Sequence, residues 1–244
     1  MSEKKPFSFK NIVNQLEDLK NFFPPINTAG YPFIILFALL ALILSLISDF
    51  LGWIGVILTL WCVYFFRDPE RVIPEKKNII ISPADGKILF AGPSKAPENL
   101  SDNKQQDLNK VSIFMNIFNV HVNRIPVSGR VVWLKYVPGA FFNASLDKSS
   151  EKNERMIAKI EIKKDLYVYV VQIAGLIARR IKCELEENQN VKVGERFGII
   201  RFGSRVDLYL PKTFNISVLE DQTMVSGETI VADAERSISK IQKK

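Results

Sequence analysis

Residues able to do covalent or proton chemistry are few in this chain, and four short stretches hold the best of them. Gly203-Ser204 breaks a strand-like pattern in which apolar residues alternate from Ile200 to Leu210. A glycine inside a strand marks a bulge, a bend or a close backbone approach. Taken alone, the pair reads as a kink in one or two half-buried strands, with a solvated serine. The sharper reading is a reactive peptide bond. Glycine has no side chain to block a serine hydroxyl from the preceding carbonyl, and it tolerates unusual dihedral angles. His121 is the only histidine, so any step that needs imidazole must use it. It lies in FMNIFNVHVNRIPVSG, residues 114–129, three positions before Arg124. A lone histidine is more often a packing residue than a catalyst. Asp85 lies in SPADGK, residues 82–87. Pro-x-Asp-Gly is a turn between strands, and a carboxylate there can also orient or accept a proton. Asn143 and Arg155 belong to FNAS and NER at the two ends of a charged run, whose plain reading is a solvated loop.

These residues need a scaffold, and the chain divides by texture. Residues 1–30 form a polar leader in which Ile12, Leu16, Leu19 and Phe22-Phe23 have roughly helical spacing. That predicts a short amphipathic helix on a membrane surface, ended by Pro24-Pro25. Residues 31–66 are almost entirely apolar and read as a membrane-associated helical hairpin. Each of its runs is slightly shorter than the roughly 20 residues that span a bilayer, so a re-entrant segment is the alternative. Lysines precede it, and Arg67, Arg71, Lys76 and Lys77 follow it. Positive charge on both flanks puts both ends on the cytoplasmic face of the cell membrane. From residue 67 to 233, short β-rich runs alternate with turn residues. This predicts a mainly β domain, an antiparallel sandwich or barrel-like sheet. Ala96–Lys110 and Asn143–Arg155 are expected as exposed loops. Residues 173–181 fit either a helical turn or a buried strand, and residues 234–244 a loose tail.

The totals narrow the function classes. The chain has 244 residues and a net charge of +7. A basic balance suits an anionic membrane surface or nucleic acid. No basic helix, zinc spacing or aromatic RNA-binding signature supports nucleic acid. Two isolated cysteines and one histidine make neither a disulfide framework nor a multi-histidine metal centre.

Each chemical stretch is weak alone, but their order is specific. SPADGK, FMNIFNVHVNRIPVSG, FNAS with DKSSEKNER, QIAGLIARRI and RFGIIRFGSRVDLYLP together resemble the phosphatidylserine decarboxylase proenzymes, in particular the short bacterial form. The resemblance covers about residues 67–233. It implies self-cleavage between Gly203 and Ser204, with Ser204 becoming a pyruvoyl group that forms a Schiff base with the substrate amine. It implies no metal and no pyridoxal phosphate. The substrate would be phosphatidylserine in the membrane, and the two self-cleavage fragments would stay together. Oligomeric state is open, a homodimer included.

By the same resemblance Asp85 serves self-cleavage, and His121 is the proton donor at the decarboxylated carbon. Arg124, Asn143 and Arg155 become candidate substrate contacts. This chain departs from the pattern at one place. Longer members carry a second histidine that activates the serine, and Arg124 stands at that position here. Three alternatives follow: His121 serves both reactions, Asp85 acts directly or through water, or strain at Gly203 supplies most of the activation.

Overall fold

The computed structural model describes residues 24–97, 100, 107–145, 152–175, 180–201 and 203–234. The expected amphipathic helix before residue 24 and the tail beyond residue 234 lie outside them. The chain forms two compact units, Met1–Glu70 and Arg71–Lys244.

In the first unit, a 3-10 turn (Thr28–Gly30) leads into helix α1 (Tyr31–Ile47), and helix α2 (Asp49–Phe65) follows at once. Pro32 sits in the first turn of α1, where its missing N–H is not needed. Ser48, in extended conformation, is the only residue between the helices. A Cβ on Gly55 would lie 2.6 Å from Ala41, and one on Gly52 would lie 2.8 Å from Ser45. Small residues thus let two antiparallel backbones touch, as in helix pairs packed within lipid. The ends of the hairpin meet where Asn27 N–H donates to the Phe66 carbonyl at 2.8 Å. Leu46, Ile47, Phe50 and Trp53 are exposed, so the hairpin presents apolar surface outward. Residues 28–47 are long and apolar enough to cross a bilayer, and Asp49–Phe65 is shorter.

The second unit pairs its strands antiparallel and has an isolated parallel bridge, Ala140 with Asn153. Its strands are β1 (Ile79–Ile81), β2 (Gly86–Lys95), β3 (Asp107–Met115), β4 (Val122–Arg124), β5 (Gly129–Val137), β6 (Arg155–Lys163) and β7 (Leu166–Ile173). Next come β8 (Ile181–Cys183), β9 (Asn190–Val191), β10 (Arg196–Ile200), β11 (Ser204–Pro211), β12 (Asn215–Ile216), β13 (Thr223–Met224) and β14 (Ile230–Asp233). An eight-stranded sheet runs β13-β2-β3-β11-β7-β6-β5-β9, and two three-stranded sheets run β4-β10-β8 and β1-β14-β12. This is the mainly β fold expected from the alternating runs. The shortest strands escaped that reading because two or three residues carry no periodicity, and their pairing is non-local.

Three local expectations are corrected. Asp107–Lys110, expected in a loop, belongs to β3 and pairs with β2 and β11. Asn153, Glu154 and Arg155, expected in an exposed loop, are buried, because the chain enters β6 there. The Ile200–Leu210 run is not half-buried: β11 is covered on both faces. Val206, Leu208 and Leu210 face the main core. Tyr209 faces a second cluster with Leu108, Tyr169, Val171 and Ile173.

Candidate active site

Gly203-Ser204 lies where the chain leaves one sheet for another. Strand β10 ends at Ile200 in a three-stranded sheet, and β11 starts at Ser204 in the centre of the eight-stranded one. Gly203 makes the turn with φ of +65°, a left-handed conformation that glycine adopts without a Cβ penalty. Its own Cβ position is open, with nothing within 4 Å. Its carbonyl is closely held. A Cβ on Gly175 would lie 1.8 Å from the Gly203 oxygen, so the carbonyl is seated against the bare Gly175 Cα. Asn153 holds that seat in place. Its Nδ2 donates to the Ala174 carbonyl at 2.7 Å and to the Phe142 carbonyl at 2.8 Å, and its Oδ1 accepts from Phe142 N–H at 3.0 Å.

Ser204 is fully buried and pairs with Met115 of β3. Directly opposed residues share a face of the sheet. Met115, Val206 and Gln172, which is opposite Val206, therefore lie on the Ser204 face. Among the described residues, the hydrogen-bond partner of the Ser204 hydroxyl is the Met115 thioether, at 4.0 Å. Asn123 reaches the same sulfur with Nδ2 at 3.6 Å and accepts from Gln172 Nε2 at 2.8 Å. Strand β4 thus lays Asn123 over the serine. Counting back two residues along the extended chain puts His121 on the Asn123 side. His121 is fully buried, and its Nδ1 is 3.0 Å from the Asn119 carbonyl. A carbonyl only accepts, so Nδ1 carries the hydrogen, and in the neutral ring Nε2 is the basic nitrogen.

The other sequence-derived candidates are more scattered. Asp85 accepts from Arg71 Nη2 at 2.9 and 3.1 Å and from Ser226 N–H at 2.7 Å. The next residue, Gly86, packs against the Phe114 carbonyl, and Phe114-Met115 pairs with Arg205-Ser204. Asp85 is therefore at the Ser204 end of the sheet but two strands away, about 10 Å at ordinary strand spacing. Arg124 projects to the other side of β4 from Asn123. It donates to the Gly194 carbonyl at 2.9 Å, and its stem packs beside Gly227 near Arg71. Asn143 is exposed and closes a small turn by accepting from Ser145 N–H at 3.1 Å. Its neighbour Ala144 lies against Gly175. Arg155 opposes Ile173, which opposes Arg205, so it stands on the sheet face away from Ser204.

That far face holds a buried charge cluster which sequence reading missed. Arg205 Nε donates to Asp207 Oδ1 at 2.6 Å, Arg205 Nη2 donates to Ser112 Oγ at 2.8 Å, and Lys110 Nζ is 3.3 Å from Asp207 Oδ2. Arg205 and Asp207 are 1% and 0% exposed. Charges at alternate positions read as a solvated strand face. The signal that would have exposed them was the matching spacing of Lys110 and Ser112 on a second strand. Removing one member of a buried pair costs about 3–5 kcal/mol, because its partners stay charged. Asp207→Leu is therefore expected to lower the unfolding free energy by an amount of that order, read as a fall in the denaturant midpoint. An unchanged midpoint would mean that water reaches the cluster. Elsewhere, burial pushes the Cys183 thiol up, so it stays protonated near neutrality and offers no competing nucleophile. Among the described residues, no three His, Cys, Asp or Glu side chains are grouped to hold a metal.

A glycine-serine junction with a seated carbonyl can be set beside known proteins. Residues 58–232 match the phosphatidylserine decarboxylase family. A phosphatidylserine decarboxylase proenzyme of Rickettsia akari (strain Hartford) is 51% identical over 221 residues, which are 91% of this chain and 94% of that protein. The chain therefore belongs to the phosphatidylserine decarboxylase family and is a carboxy-lyase.

Proposed function

We propose that the chain is a proenzyme that cuts itself between Gly203 and Ser204, and that the two-piece product decarboxylates phosphatidylserine to phosphatidylethanolamine and CO2 at the cytoplasmic face of the cell membrane. The observation that carries this reading is the Gly203 carbonyl held against Gly175 beside a buried serine. The similarity to a relative called a proenzyme supports processing.

In the cut, Ser204 Oγ adds to the Gly203 carbonyl carbon and the Gly203–Ser204 C–N bond breaks. The hydroxyl proton ends on the freed nitrogen, leaving an ester. Loss of the Ser204 α-proton then expels the Gly203 carboxylate and leaves a dehydroalanine. Water replaces its nitrogen, ammonia leaves, and residue 204 becomes pyruvoyl. The site fits that group: residue 204 is buried and central in the sheet, with polar side chains of Asn123 and Gln172 on its face. The pyruvoyl carbonyl supplies an electron sink for the pair left behind when a carboxylate departs as CO2.

The chain's own residues do the rest. His121 Nε2 moves a proton at the reacting carbon, with the ring oriented by its Nδ1–H on Asn119. Asp85 contributes to self-cleavage through an intervening group, because it lies two strand spacings from Ser204. The exposed Asn143, beside the Gly203 seat, is the best placed of the three candidate substrate contacts. Arg124 suits the lipid phosphate by charge. Arg155 acts from the opposite face of the sheet. The apolar hairpin tethers the domain where its lipid substrate lies.

Intact-mass measurement of purified protein in detergent tests the reading. Two pieces, 1–203 and 204–244, with a blocked terminus at residue 204, are expected. A single uncut chain that nevertheless releases CO2 from phosphatidylserine would sink the pyruvoyl route. His121→Ala is expected to reduce CO2 release by about 10²–10⁴-fold, the usual contribution of a placed acid or base. Following its cleavage by gel separates the two roles of His121. Full turnover in this variant would remove it from the site.

A further inference from the structure

We propose that Gln172 is a positioning residue for self-cleavage, accepting the Ser204 hydroxyl hydrogen bond in the precursor and aiming Oγ at the Gly203 carbonyl. This rests on the self-cleavage reading above. Gln172 is 1% exposed in β7. Its amide nitrogen is committed to Asn123 Oδ1 at 2.8 Å, while its Oε1 is buried with no hydrogen-bond partner among the described residues. A buried acceptor left open costs about 1–3 kcal/mol, so a fold that keeps one has a donor to bring to it. Ser204 is that donor. It shares the face of Gln172 and sits on the diagonal, two residues from Val206, which opposes Gln172. Diagonal neighbours across antiparallel strands are about 7–8 Å apart at Cα, within reach of a long side chain. The hydroxyl meanwhile has only a thioether at 4.0 Å, a weak acceptor.

The rest of the cluster explains why the oxygen, not the nitrogen, is open to Ser204. Asn123 occupies the Gln172 amide nitrogen and turns its own Nδ2 to Met115 Sδ at 3.6 Å. The amide pair therefore forms one wall of the serine pocket, with its acceptor unused. In the cut, the hydroxyl proton passes from Oγ to the nitrogen of residue 204. Gln172 takes no proton. It selects the rotamer from which Oγ faces the carbonyl carbon.

The test measures the half-time of self-cleavage by intact mass in freshly made full-length protein, beside its thermal midpoint. Gln172→Met removes the acceptor at nearly constant volume. It also leaves Asn123 Oδ1 without the Gln172 donor, so the thermal midpoint is expected to fall by what one unpaired buried acceptor costs, while the fold holds and cleavage slows about tenfold, the factor one hydrogen bond commands. Gln172→Glu, which in its protonated form mimics both amide functions, is expected to restore cleavage to within a few-fold of the original. Should Gln172→Met not fold, Gln172→Asn withdraws the oxygen by one methylene, and the same slowing is expected. Cleavage at the original rate in either folded variant overturns the assignment. An original chain that never cuts at 203–204 overturns the underlying reading instead.

Discussion

Ser204→Ala is expected to leave one chain of 27.8 kDa with no decarboxylase activity. In the proposed route both losses have one cause, since the hydroxyl would be the nucleophile of the cut and the carbon skeleton of residue 204 would become the electron sink. The substitution is structurally mild. The hydroxyl's hydrogen-bond partner among the described residues is only the Met115 sulfur at 4.0 Å, a weak acceptor, so little hydrogen bonding is lost and the fold is expected to persist. Intact mass reads the first effect, and CO2 release from phosphatidylserine vesicles reads the second. In the unaltered protein, the 204–244 piece is expected to be lighter by one ammonia than a peptide beginning with serine. Cleavage at 203–204 in Ser204→Ala would show that another group attacks the carbonyl, and the serine assignment would fall.

Gly175→Ala is the second large effect, and it follows from geometry alone. The added methyl would lie 1.8 Å from the Gly203 oxygen and 2.9 Å from its carbon. Both are backbone atoms, so no flexible side chain can yield. The carbonyl must move by more than an ångström, and a displacement of that size at a reacting centre costs on the order of 10²-fold in rate. Precursor is expected to accumulate, with a cleavage half-time lengthened by about that factor. Gly203→Ala is the matched comparison. Its Cβ enters open space, so only the left-handed φ of +65° is strained, at about 1–2 kcal/mol. Both variants should fold as β-rich proteins by circular dichroism. Cleavage of Gly175→Ala at the original rate would mean that the seat does not hold the reactive carbonyl.

The arrangement bears on the missing second histidine. Arg124, which stands at that position, lies across β4 from Asn123 and is engaged with the Gly194 carbonyl. Asp85 is tied to Arg71 and Ser226, two strands from Ser204. Gln172 shares the Ser204 face, Asn123 reaches the Met115 sulfur beside the serine, and His121 lies two residues before Asn123. In the proposed route His121 is therefore the candidate base for both reactions.

Several features were legible in the residues before any fold was known. The apolar run of residues 31–66 cannot be solvated, so a helical hairpin outside the β domain follows from composition. The alternating runs after residue 67 specify antiparallel sheet, because period-two burial has no other solution. A single histidine and a single glycine-serine break narrow the chemistry by count alone. What the residues could not disclose is everything that depends on pairing across the sheet. Arg205 and Asp207 look solvated until Lys110 and Ser112 arrive from a distant strand. Asp85 could serve the serine directly or through water, and only the register of β2, β3 and β11 puts two strand spacings between them. Gly175 looks like one more flexible position until the Gly203 carbonyl is found resting on it. Short-range pattern encodes which face of a strand is apolar, but register and sheet order are long-range properties. The Gly203–Ser204 peptide bond is seated and turned by contacts from residues about 30 to 90 positions away in the chain.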